Sequence, residues 1–280
     1  MVALLARRRF SIVGCWLVVG IVASANGQSA TTMQSIDPWG KFSPGTRKRV
    51  RLVVQKLDSQ GRVVSTTTRE TQSFLEEVTK NGYRLRVETT TNVAGKRIAT
   101  VPQIVRRGYQ GEVNGETSKV KATGETKVII SGVSIPCRVR DITIQGTDSI
   151  RVSHVHFSAK RFPHVIHRVT KSPAGGSITT VIRADTIALD MPLHLLGAEK
   201  TAAHILTTQR SPLRIISTLE VHCADVPGSL VSLTSTTRDN SGKVTERSQL
   251  DLVSYRVVIG NGRQPASRPR LRLFQRPINR

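Results

Sequence analysis

From Arg47 onward, apolar residues recur at every second position rather than at helical spacing, in segments dense with Val, Ile and Thr. Such alternation marks half-buried strands, because successive side chains of an extended chain point to opposite faces. Val50, Leu52 and Val54 alternate with Arg49, Arg51 and Gln55, and Leu57-Asp58-Ser59-Gln60-Gly61 reads as a turn into an extended segment from Arg62 to Thr71, giving a first hairpin. A second hairpin runs from Phe74–Val78 through Asn81-Gly82, which supplies positive φ at little steric cost, to Tyr83–Val93. Further strands are predicted at Lys127–Ile130, Arg138–Ile144, Ser149–Ser158, Val165–Thr170, Ser177–Ala188, Arg214–Val221, Leu230–Thr236 and Lys243–Ser254. The one helical candidate is Pro192–Thr207. Asp190 stands where a cap would, and Leu193, Leu196, Ala203 and Leu206 fall near one helical face, although Gly197 and the Thr content weaken it. The pattern as a whole predicts a mainly β protein: a large curved antiparallel sheet or half-barrel built from repeated hairpins, with at most one or two short helices.

Three segments share a design in which a Pro, lacking a ladder N–H, ends one element before a long hairpin begins. They are Trp39-Gly40-Lys41-Phe42-Ser43-Pro44-Gly45, the stretch from Val155-His156-Phe157 to Phe162-Pro163-His164, and the stretch from Val221-His222-Cys223 to Val226-Pro227-Gly228. Asp239-Asn240-Ser241-Gly242-Lys243-Val244 also matches Asp58-Ser59-Gln60-Gly61-Arg62-Val63 in turn chemistry. The uneven spacing of Pro44, Pro163 and Pro227 excludes a solenoid, which needs a constant period. The Trp39–Gly45, Val226–Gly228 and Ile135-Pro136-Cys137 segments resemble those of uncharacterised bacterial exported β-sheet proteins, and the layout is similar to the half-barrels of periplasmic lipoprotein carriers. That resemblance covers most of the chain. It implies a scaffold holding an apolar or elongated ligand in a concave sheet, and it assigns no ligand-binding residue.

The ends of the chain carry different signals. Arg7-Arg8-Arg9, the apolar run Phe10–Val22 and Ala23-Ser24-Ala25 form the three regions of an export signal ending at residue 25. The run is shorter than the roughly 20 apolar residues of a spanning helix, so no transmembrane segment is expected after cleavage. Residues 26–36 read as a linker, 37–259 as the antiparallel β domain, divisible into sub-modules of about 37–130 and 131–259, and 260–280 as a basic flexible tail. The formal charge is +23, and the signal carries three Arg and no acid, so +20 remains without it. A field of that sign favours anionic lipid, acidic polysaccharide or an acidic protein. The export signal and an aromatic content of only 4% weigh against nucleic acid, which is bound by stacking on aromatic rings. In the tail, Arg268, Arg270, Arg272 and Arg276 form a candidate anion-docking arm, with a solvated tail as the alternative.

Candidate chemistry is sparse. All seven histidines fall between His154 and His222. His154 and His156, two apart on a predicted strand, project from one face, and His164 or His167 offers a third ligand, which makes these four the candidates for a metal site. Cys137 and Cys223, in an oxidising compartment, either pair or stand as two separate buried thiols. No serine elbow, Walker loop, dinucleotide fingerprint or zinc-ribbon spacing occurs, and no cofactor is implied. The reading that follows is an exported, periplasmic or cell-envelope protein, not a catalyst, that binds an anionic or amphiphilic partner through a curved sheet. A metal-dependent or hydrolytic enzyme using the His154/His156 region, and a structural component of a surface layer or matrix, stay open beside it.

Overall fold

The alternating segments are strands, and they are longer and more numerous than the pattern predicts. The computed structural model describes residues 37–147, 149–174 and 178–258. The export signal, the linker up to residue 36 and the tail with Arg268, Arg270, Arg272 and Arg276 lie outside the described residues. In chain order the strands are β1 (Arg47–Leu57), β2 (Val63–Thr79), β3 (Gly82–Val93), β4 (Lys96–Ala99), β5 (Gln103–Gly108), β6 (Thr117–Ile130) and β7 (Val133–Gln145). They continue with β8 (Ile150–Phe157), β9 (Val165–Ala174), β10 (Ile178–Leu195), β11 (Ala198–Ser211), β12 (Arg214–His222), β13 (Leu230–Asp239) and β14 (Val244–Arg256). All fourteen belong to one antiparallel sheet in the order β4-β3-β2-β1-β14-β13-β12-β11-β10-β9-β8-β7-β6, with β5 also on β3. Every pairing but two joins strands consecutive in the chain; the exceptions are β3 with β5, past the short β4, and β1 with β14, where Val50 lies opposite Leu252 and Leu52 opposite Leu250. The proposed boundary at 130/131 falls in the β6–β7 turn.

No helix occurs among the described residues, and so none there is long and apolar enough to cross a membrane. The helix expected over Pro192–Thr207 is instead the tip of the β10–β11 hairpin. Leu196 (φ 49°) and Gly197 (φ 82°) are the two central residues of its turn. Successive positive φ values are what a two-residue hairpin turn requires, so the Gly that weakened a helix is what makes the turn. Asp190, read as a helix cap, has φ 52° in the bulge between Ala188 and Met191 and binds Arg161 at 3.0 Å. The two N-terminal hairpins are also joined differently, since β2 is one 17-residue strand serving both.

Two edges remain, β4 and β5 on one side and β6 on the other, so the sheet is curved but not closed into a barrel. The 109–116 segment ties the edges together. Tyr109 donates its hydroxyl to the carbonyls of Thr79 (2.6 Å) and Gly82 (3.2 Å), and Glu116 pairs with Arg151 of β8. Beyond it the sheet curls until Leu189 of β10 packs against the cluster of Ile130, Ile135, Cys137 and Ile166. Burial alternates along β12 and β13: Ile216, Thr218, Glu220 and His222, and Val231, Leu233, Ser235 and Thr237, share the covered face. That face is half polar. Its hydroxyls satisfy one another, as Thr218 and Ser235 do at 2.9 Å, because a buried polar group left without a partner costs free energy.

The three proline segments gather at one end of this sheet. Residues 37–46 lie across it, with Trp39 and Phe42 packed on Leu75, Leu85 and Val87, each ring worth roughly 2 kcal/mol of burial. The Asp37 carboxylate accepts the N–H groups of Trp39 and Gly40, both at 2.7 Å. The 223–229 loop docks on this segment through Gly228 N–H to Pro38 O (2.8 Å) and the Lys41 ammonium to Ala224 O. In the 158–164 loop, His164 lies close enough to Lys41 to feel its charge. At the other end, the Asp58 and Asp239 turns are built alike. Each aspartate accepts the N–H groups two and four residues on (2.8 and 2.9 Å; 2.9 and 3.1 Å), and Gly61 and Gly242 supply φ of 80° and 85°.

Two predictions test this architecture. Gly228 has φ 68°, and a Cβ there would stand 2.5 Å from Trp39 Nε1. Gly228→Ala should therefore cost roughly 2–4 kcal/mol, from left-handed strain and the clash together, lowering the thermal midpoint by about 2–4 °C per kcal/mol. Lys48, buried on β1 with its ammonium on Leu230 O, is pushed down to about 7 by desolvation. Between pH 7 and the ordinary lysine value the unfolded chain holds a proton that the folded chain does not, so this group makes stability rise with pH across that window. Lys48→Met should flatten that rise in thermal melts taken from pH 7 to 10.

Candidate functional site

At the open β6 edge, strands β6, β7 and the end of β8 meet the 158–164 loop and leave a pocket of about 460 Å³. Its floor is Phe157 and Cys137. Its rim carries Lys127, Arg138 and Lys160 against one carboxylate, Glu125, which lies 3.8 Å from Arg138. Strand alternation explains the split: Cys137 turns inward into the β6–β10 cluster while Pro136 and Arg138 on either side are exposed. Behind the floor, the Arg140 guanidinium is fully buried and stacks 4.2 Å over the Phe157 ring. Desolvation pushes it down to about 10, so it is charged at neutral pH and adds to the positive potential. An apolar floor under a cationic rim can accept an apolar body with an anionic end. The second pocket, about 290 Å³ between Lys56, Leu213, Arg214, Asp239 and Glu246, mixes both signs of charge and has no comparable floor.

Cys137 and Cys223 are free, buried thiols in separate clusters, Cys137 beside Ile130, Ile135 and Ile166, and Cys223 beside Leu195, Val226 and Val231. The bridge considered for them is not made. Burial raises both thiols above their ordinary range, which disfavours the nucleophilic thiolate.

The structure brings three of the four candidate histidines together. His154 and His156 point from the same face of β8, their ring centroids 5.5 Å apart, and His167 of β9, opposite His156, is 4.9 Å away. Carboxylates hold the outer two: Asp141 of β7 binds His154 Nδ1 at 2.8 Å and Asp185 of β10 binds His167 Nδ1 at 2.6 Å. Burial raises the Asp185 carboxyl, but hydrogen bonds from Arg183 and His167 outweigh it and the net shift is downward. His156 is lowered by desolvation and by its two imidazole neighbours. His164 is not part of the group. It donates from Nδ1 to Ser158 O at 3.0 Å and stacks on Phe157, so it belongs to the capped end. Among the described residues, no three groups of His, Cys, Asp or Glu converge as ligands on one point.

One polar cluster escaped the sequence reading. Glu220 accepts from His222 Nε2 (2.8 Å) and from Thr207 (3.0 Å), while His222 Nδ1 meets the Ser229 hydroxyl at 2.8 Å. These residue types can serve nucleophilic catalysis when substrate reaches the serine. Here all three are at most 2% exposed, and the Trp39 segment covers the loop. The chain of bonds pins the 223–229 loop to β12. Part of the signal was present, since Glu220 lies on the strand predicted at Arg214–Val221 and His222, two residues on, follows the end of that strand on the same face. The pocket rim had no such signal, because Lys127, Arg138 and Lys160 come from three different elements.

No family model matches the sequence, and no curated protein matches it. Among solved structures the chain is similar to a protein of Parabacteroides distasonis described as a "putative lipoprotein", with 11% identity and a TM-score of 0.32, over 79% of this chain and 98% of that one. A likeness at that level assigns no function. What the fold and site define is a class: an open, curved, antiparallel sheet with a capped end and a cation-rimmed pocket at its free edge.

Glu220→Ala removes the acceptor of a buried imidazole and of Thr207, and should cost roughly 3–5 kcal/mol. Chemical denaturation checks the magnitude. Asp141→Asn, on the exposed row, should leave the midpoint within about 0.5 kcal/mol of the parent.

Proposed function

We propose that the chain is an exported or cell-envelope protein that performs no catalysis and binds an amphiphile with an anionic end at the free edge of its curved sheet. The carrying observation is the β6–β7 pocket, with Phe157 and Cys137 beneath Lys127, Arg138 and Lys160. Its volume lies within the roughly 300–1,000 Å³ of small-molecule sites, and its lining has their usual make-up of apolar surface with a few polar groups. The +20 charge that remains without the signal supplies long-range attraction toward anionic surfaces, and the pocket supplies the short-range apolar contact that a simple polyanion does not use. Export rests on residues 7–25 as read above.

Flotation with lipid vesicles tests this. Protein spanning 37–280 should be retained on vesicles containing phosphatidylglycerol, not on phosphatidylcholine alone, with retention falling as salt rises. Lys127→Glu with Lys160→Glu should reduce retention several-fold. No retention on anionic vesicles at low ionic strength, or equal retention on an acidic polysaccharide with no effect of the charge reversal, would reject the amphiphile reading.

A further inference from the structure

We infer that the outer face of β8 and β9 is a binding site for a divalent late transition metal, held by the imidazoles of His156 and His167 with His154 alongside. The inference is independent of the pocket, which involves other residues. The first support is tautomeric. A carboxylate only accepts hydrogen bonds, so the contacts of Asp141 with His154 and of Asp185 with His167 place a hydrogen on each Nδ1, and the neutral ring then presents its lone pair at Nε2. Carboxylate partners of this kind orient metal-binding histidines and raise their basicity. Arg183 holds the Asp185 carboxylate in turn at 2.7 Å.

The second support is the central ring. His156 Nδ1 is buried with no hydrogen-bond partner, and His167 stands directly opposite on the neighbouring strand. Ring centroids 4.9 Å apart suit two imidazoles sharing one ion, given metal–nitrogen bonds of about 2.0–2.1 Å. The face is reachable, since the His154 side chain is 48% exposed. Among the described residues no third group already converges with the pair, so two imidazoles and solvent complete the shell unless His154, 5.5 Å from His156, rotates in. Imidazole with water suits copper(II) and zinc, copper being held more tightly, while magnesium and calcium prefer oxygen donors. The cations near the row, Arg183 on β10, Lys121 opposite Asp141 on β6 and Lys171 on β9, are partly offset by Asp141 and Asp185.

Calorimetric titration of untagged protein spanning 37–280 with copper(II), zinc and magnesium salts tests the site. One ion per chain is expected, copper binding more tightly than zinc and magnesium giving no heat. His156→Ala with His167→Ala should lower copper affinity at least tenfold, and Asp185→Asn should lower it by roughly tenfold to a hundredfold as an outer-shell change. Circular dichroism of each variant establishes that the sheet persists. Absence of copper and zinc binding, or binding that survives unchanged in the folded double variant, overturns the site.

Discussion

The pairing of β1 with β14 is the constraint on which the other elements depend. Apart from β5, which reaches β3 past the four-residue β4, every other neighbour in the sheet is reached through a turn or short loop, so those contacts form between residues close in sequence. β1 and β14 are separated by almost the whole described chain, and bringing them together carries the loop-closure cost of the fold. Apolar contact offsets it: Val50 and Leu52 meet Leu252 and Leu250 in register, on the face that alternation had marked as inward. With that seam made, the N-terminal hairpins and the long C-terminal meander become one sheet, and the free edges fall at β4, β5 and β6.

That placement of edges explains where the molecule is finished and where it is not. At one end the 37–46 segment and the 223–229 loop cover the sheet with Trp39 and Phe42, and Glu220, His222 and Ser229 lock the loop from beneath. Along β6, ladder groups are left unpaired, and Lys119, Lys121 and Lys127 stand on the strand as charged residues do on protected edges. One of these cations, Lys127, also forms part of the pocket rim. Edge protection and the proposed binding share that lysine.

The inner face adds a second theme. Glu220, His222, Thr218 and Ser235 are buried on the same face as Ile216, Val231 and Leu233, and Arg140 is buried against Phe157, so the covered side of the sheet is not a uniform hydrocarbon core. Hydrogen bonds make such groups tolerable in low dielectric: Thr218 to Ser235 and Thr207 to Glu220 across adjacent strands, Glu220 to His222 along β12, and His222 to Ser229 of the loop. A polar lining holds the register as well, since a one-residue slip would turn Glu220 outward and an exposed Leu219 inward.

Period-two alternation determined the class of fold and most strand positions without help from tertiary structure, because an extended chain has one way to place its side chains relative to a sheet. The Asp-Gly turns at Asp58 and Asp239 were legible for the same local reason: the aspartate and glycine carry the turn geometry themselves. The segment 192–207 was misread because Leu193, Leu196, Ala203 and Leu206 satisfy a helical period by coincidence, and only pairing of β10 with β11 and of β11 with β12 selects the strands. Short, charged edge strands such as Lys96–Ala99 have no buried face and hence no pattern to read. The His154 and His156 pair was visible by spacing, but its partners His167, Asp141 and Asp185 are neighbours only through strand register. The pocket was not visible at all, since Lys127, Arg138 and Lys160 become adjacent solely because β6 ends the sheet and the 158–164 loop folds over it; proximity across strands is a property of pairing, which one-dimensional periodicity does not encode.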